Sequence, residues 1–201
     1  SYSRLNDAAA YVESSAPRQT GRRRRPSPWQ ILIDSPNSLL FRPSEVDDRL
    51  APDIFCDIVG PANDEWPLSR QNLVIRVWSL TRDLSFRRDW DSERIGDLLA
   101  QRPSYQRVLL RCHFDRANPE QEAPIFHLQI GGRATEQERE LCWFPEIVNI
   151  PRLLCPPMDL VLAAEVVVAS FFPTAFANLT NEPDWLTLVH ESETFLLKEF
   201  Y

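Results

Sequence analysis

Apolar and polar positions alternate most sharply between Gln106 and Gly132, QRVLLRCHFDRANPEQEAPIFHLQIGG. Successive side chains of a strand point to opposite faces. On that period Val108, Leu110, Cys112 and Phe114 form one face of a first strand, and Arg107, Leu109, Arg111, His113 and Asp115 form the other. A second strand sets Phe126, Leu128 and Ile130 against Ile125, His127 and Gln129. Arg116–Ala123, with Asn118-Pro119 inside it, has the composition of a turn. A hairpin centred near Glu120 places His113 opposite His127 and Arg111 opposite Gln129. A one-residue slip would turn the phenylalanines to the wrong face.

Other segments extend this pattern. Trp29–Asp34 reads as a first strand, and Asn72–Leu80 as a strong one, rich in β-branched and aromatic residues. Leu84–Trp90 is expected to pair back against Asn72–Leu80. Asp91-Ser92 then cap a predicted helix over Glu93–Gln101, which Pro103 ends from beyond. Arg133–Glu140 is a charged loop, and Leu141–Ile150 is a candidate edge strand, where Pro145 is tolerated. Prolines punctuate Ser35–Leu68, leaving a short helix from Ser44 and an apolar piece at Ile54–Val59 as its readable features.

Helical spacing marks both ends. Leu5, Ala8, Ala9 and Val12, with Tyr11 beside them, predict an amphipathic helix over Tyr2–Ser14, and Pro17–Pro28 (PRQTGRRRRPSP) reads as a linker. Met158–Phe172 is apolar on nearly all faces, which predicts a helix buried on the sheet and stopped by Pro173. Asn181 is the expected cap of a closing helix, with Pro183 in its first turn and Trp185, Val189, Ser192, Leu196 and Phe200 on one stripe. Strands first and helices last predict an α+β fold: an antiparallel sheet of about five strands packed on C-terminal helices. Residues 1–28 form an arm of helix and basic linker, and residues 29–201 a single domain.

Composition adds a charge asymmetry. The 201-residue chain carries −7, but residues 1–28 hold six arginines against Asp7 and Glu13, so that the arm is +4 and the remainder −11. An acidic body is not a general nucleic-acid binder, because phosphate contact depends on clustered Lys and Arg. The run Arg22, Arg23, Arg24, Arg25 suits an acidic partner or RNA, or else a solvated linker. Cys56, Cys112, Cys142 and Cys155 form no CxxC pair, so they are expected to be reduced and buried. The longest apolar run, Leu160–Phe172, contains Glu165 and falls short of the roughly 20 residues a bilayer needs. With no leader pattern read at the start, a soluble cytoplasmic chain without membrane contact is the expectation.

Candidate chemistry gathers on the polar face of the hairpin. Arg111, His113, Asp115, His127 and Gln129 share it, and neighbouring strands could add Arg87, with Ser85 and Asp89 at the same parity, and Arg76. One neutral imidazole can take a proton from a ribose hydroxyl, a protonated one can give a proton to the leaving oxygen, and arginines can hold the phosphate. The competing reading is structural, because strand histidines often bond across to a carboxylate. Asp115 could complete a two-His-one-carboxylate set, but two residues along a flat strand separate it from His113 by about 7 Å, awkward for one small cation. No metal or cofactor is therefore assigned. Glu165, inside an apolar helix, requires a partner, with Arg152 or a sheet arginine expected. Gly-rich phosphate loops, GxSxG, HExxH and dinucleotide fingerprints do not occur.

The order CHFDR, loop, FHLQIGG, then PRLLCPPMDLVLAAE and a last helix with Trp185, Ser192 and Glu193 resembles small bacterial proteins encoded beside toxin–antitoxin or phage-defence genes, in particular the TumE-like toxins. The likeness spans about residues 72–200. It implies ribonuclease activity resting on His113, Asp115 and His127. Six tryptophans, the terminal FLLKEFY and the arm fit the other reading, a non-enzymatic subunit or adaptor that docks a protein partner through its N-terminal helix and linker.

Overall fold

The structure, a computed structural model, describes residues 29–34, 37–60, 67–80, 106–117, 124–131 and 152–197. The expected arm over residues 1–28, including Arg22–Arg25, lies outside them, as do Arg87, the helix over 93–101, and Leu141–Ile150. Strands β1 (Gln30–Ile33), β2 (Leu39–Leu40), β3 (Leu50–Val59), β4 (Arg70–Leu80), β5 (Gln106–Arg116), β6 (Phe126–Ile130) and β7 (Leu153–Leu154) form one antiparallel sheet. Helices α1 (Leu160–Phe171), α2 (Pro173–Leu179) and α3 (Pro183–Leu197) follow. The architecture is α+β, with seven strands among the described residues rather than about five.

The extra strands come from the proline-punctuated segment. β3 alternates Ile54, Cys56 and Ile58 with Asp53, Phe55 and Asp57, and it lies between β4 on one side and the broken pair β1 and β2 on the other. Pro52 is accommodated because its carbonyl, accepting from Phe41 N at 3.0 Å, faces the side where β2 has already ended, so the donor it lacks has no ladder position to fill. Ser44 starts no helix. Its Oγ accepts from the amides of Val46 and Asp47 and donates to the Phe171 carbonyl at 2.9 Å, which makes it a turn that ties off the end of α1. The expected strand Leu84–Trp90 lies outside the described residues; among these, β4 is flanked by β3 and β5.

One face of the sheet carries the core. Ile54, Cys56, Ile58, Leu73, Ile75, Phe114 and Phe126 pack with Leu160, Ala163, Ala164, Val167 and Leu196 of the helices, and α1 crosses β3 and β4. The phenylalanines thus lie beneath the C-terminal helices, as the alternation predicts. Asp159 caps α1 by accepting from Leu162 N at 3.0 Å. α1 buries one face only, with Val166 exposed. Pro173 does more than stop it, because a break at Phe172 lets the proline occupy the first position of α2. Asn181 caps nothing at α3; its amide donates to the Ala177 carbonyl and closes α2 instead. Glu165 finds no arginine among its described neighbours: burial raises its pKa and Glu193 raises it further.

At the chain's entry, Gly60 N donates to the Trp29 carbonyl at 2.7 Å, and a side chain at Gly60 would run into the Trp29 indole. Trp29 in turn lies 6.4 Å, between ring centroids, from Phe195 of α3. The described chain therefore starts on the helix side of the sheet.

Candidate functional site

Register fixes the face opposite the core. Asp53, Arg76 and Arg111 lie in one row across β3, β4 and β5; Phe55, Val74, His113 and Gln129 form the next; Leu32, Asp57, Asn72, Asp115, His127 and Leu154 form a third. Residues directly opposite share a face, so Arg76, Arg111, His113, Asp115, His127 and Gln129 are brought to one side of adjacent strands.

The pairing differs from the expected one by two residues. His113 faces Gln129, and His127 faces Asp115. A two-residue shift preserves every face, so the alternation could not detect it. A bulge also shifts one residue: Val77 pairs with Leu110 and Trp78 with Val108, leaving Leu109 over. Val108 thereby joins the Trp78 side, contrary to the strict period.

The upper part of this face is sealed. Arg76 Nε donates to Asp53 Oδ1 at 3.0 Å and Nη2 to Oδ2 at 2.6 Å, while the guanidinium lies 4.6 Å from the Phe55 ring centroid and 4.9 Å from that of Trp78. Ser38 Oγ gives Asp53 Oδ2 a further bond at 2.7 Å. Planar guanidinium, two-toothed carboxylate contact and aromatic stacking are mutually compatible, which favours arginine over lysine here. Arg111 Nη1 donates to the Gly131 carbonyl at 2.9 Å, and Gly131 N donates to the Arg111 carbonyl at 2.6 Å. Gly131 adopts φ 88°, a conformation that favours glycine, so the turn and the arginine fasten the end of β6 together. Both arginines are buried.

The histidines differ from one another. His113 is half-buried, and its Nε2 donates to Asn72 Oδ1 at 2.9 Å. His127 is 0 % exposed. Its Nδ1 donates to the Pro124 carbonyl at 3.0 Å, which fixes the tautomer and leaves Nε2 to accept from the Gln129 amide at 3.3 Å. The Asp115 carboxylate stands 3.9 Å from Nε2, beyond hydrogen-bond range. Burial raises the Asp115 pKa, with His127, the Arg116 amide and Arg152 pulling it part of the way back. Its carboxyl, the Asn72 amide and the Asp57 carboxyl, which pairs with Arg70 at 2.8 Å, are the accessible polar groups of the third row, whereas His127 is buried.

Among the described residues no three His, Cys, Asp or Glu side chains gather as a metal would require. Sequence reasoning missed Asp53 and Asn72. The signal for Asp53 was present in the alternation DIFCD, but the flanking prolines obscured the strand. Asn72 carries no pattern of its own and becomes visible only through the register.

The exposed apolar side chains supply a second surface. Of the eleven large exposed hydrophobics among the described residues, six lie on or beside β5 to β7: Leu109, Leu110, Ile125, Ile130, Leu153 and Leu154. β7 is the terminal strand of the sheet among the described residues, and its leucines reach opposite faces, 45 % and 75 % exposed. No helix among the described residues is long and apolar enough to cross a membrane. Comparison with family models, with curated proteins and with solved structures gave no match.

Proposed function

We propose that the chain is a non-enzymatic subunit or adaptor that binds a protein partner through the β5–β7 end of its sheet. The process is that suggested by its resemblance to proteins of bacterial defence and toxin–antitoxin complexes. The observation that carries the reading is the exposed pair Leu153 and Leu154 on a terminal strand, with Ile125 and Ile130 beside them. A short edge strand bearing apolar side chains on both faces suits a partner that adds a strand or an apolar surface there. Such an edge is otherwise a liability that proteins cover or charge.

The ribonuclease alternative asks His127 to exchange a proton with substrate. Its ring is wholly buried and both nitrogens are engaged, whereas a general acid or base must come within about 3 Å of the atom it serves. The test is incubation of the purified chain with RNA in EDTA. Intact RNA is expected, and cleavage that disappears in both His113→Ala and His127→Ala would overturn the reading in favour of the nuclease.

A further inference from the structure

The outer edge of β7 offers backbone as well as apolar side chains. Cys155 N donates to the Phe126 carbonyl at 3.4 Å, while Leu154 stands opposite His127. In an antiparallel ladder that bond makes Leu154 and His127 a non-hydrogen-bonded pair, so the amide and carbonyl of Leu154 point away from β6. Neither group bonds another described residue. Leu154 thus presents a donor, an acceptor and a side chain that is 75 % exposed.

Charge is unevenly satisfied around this edge. Arg42, Arg49, Arg70 and Arg76 are each paired with a carboxylate. Two half-buried arginines beside β7 are not. Arg116 stands across from Phe126, in line with Cys155; its Nη1 donates to the Ser69 carbonyl at 3.3 Å, and its Nε is buried without an acceptor. Arg152 immediately precedes β7 and makes no hydrogen bond or ion pair among the described residues. By contrast, residues 159–197 carry Asp159, Glu165, Glu182, Asp184, Glu191 and Glu193 and not one Lys or Arg. The exposed edge is therefore the basic end of an acidic chain.

We infer that the partner segment taken up at β7 is an acidic extended strand. Its backbone bonds Leu154, its apolar side chains lie against Leu153 and Leu154, and its carboxylates pair with Arg116 and Arg152. This rests on the docking reading of the β5–β7 end and adds the conformation and charge of the partner. A basic segment would bring further cations to guanidinium groups that already lack a carboxylate. A second copy paired edge to edge about a two-fold axis would bring its own Arg116 and Arg152 to the same place, and like charges opposed across strands destabilise the pairing.

Fluorescence anisotropy of the full chain with two short labelled peptides tests it, one alternating Leu with Glu and the other Leu with Lys. The Glu peptide should bind several-fold more tightly, and the difference should shrink as salt is raised. Arg116→Gln with Arg152→Gln should remove most of the preference. Leu154→Pro, which keeps an apolar side chain but deletes the outward amide, should weaken both peptides. Circular dichroism checks that each variant is folded, and the salt series on the native chain needs no variant. Equal binding of the two peptides overturns the acidic assignment, and binding that is indifferent to Leu154→Pro, or absent for both peptides, overturns strand addition. A concentration-dependent dimer of the native chain that Leu154→Pro dissolves would give the edge to a second copy and overturn the proposal as well. The docking reading fails separately, if the native complex survives Leu154→Asp.

Discussion

Asp115 stands directly across the sheet from His127, yet the carboxylate and the imidazole Nε2 are 3.9 Å apart, because that nitrogen already accepts from Gln129. The amide and the Pro124 carbonyl together hold the buried ring in one orientation. His127→Ala should therefore act on stability, removing a buried ring and orphaning its partners at a cost of about 2–4 kcal/mol. Urea unfolding measures this. An unchanged midpoint would show that the ring supports nothing.

The Asp53–Arg76 pair yields a stronger prediction. Asp53→Ala leaves a buried guanidinium between Phe55 and Trp78 without its two-toothed acceptor, and a loss of about 3–5 kcal/mol is expected. Replacing both residues with apolar ones of similar volume should cost much less, since neither member of the pair is then left buried without the other. Equal losses in the single and double variants would contradict the pairing.

Glu165 predicts a pH dependence. Its pKa is raised, first by burial and then by Glu193, so folding favours the protonated carboxyl. That contribution is fully present below the ordinary Glu value and is lost as pH rises through the raised one. Glu165→Gln, which stays neutral, should thus raise the melting temperature at pH 7 and leave it unchanged below about pH 4, where both forms are uncharged. A melting temperature at pH 7 lowered by the substitution would mean that the carboxylate has a favourable partner.

Gly60→Ala tests the entry of the chain. The added methyl meets the Trp29 indole, and accommodating it should cost about 1–3 kcal/mol by thermal or urea unfolding. Tolerance without loss would show that Trp29 is free to move.

Much of the fold was legible in the sequence because period and face are local properties. The alternation in CHFDR and FHLQI assigned Phe114 and Phe126 to the core and Arg111, His113, Asp115, His127 and Gln129 to the opposite face. Register was not legible, because moving the turn centre by one residue shifts the pairing by two and leaves all those faces unchanged. β3 escaped notice because Pro52 reads as a strand breaker until the end of β2 beside it is known. The local pattern makes Pro173 a stop and Asn181 a start, whereas each serves α2, a seven-residue helix too short to show a period. The Glu165 environment depended on how α1 and α3 approach one another, which no local pattern encodes.

The most direct measurement compares two full-length variants in one experiment, the light-scattering mass of the tagged chain recovered from its native cells. The wild type and His113→Ala should each elute as a complex heavier than the chain alone, whereas Leu154→Asp should elute at the mass of the free chain. A complex that survives Leu154→Asp but is lost in His113→Ala would place the working surface on the histidine face and contradict the account.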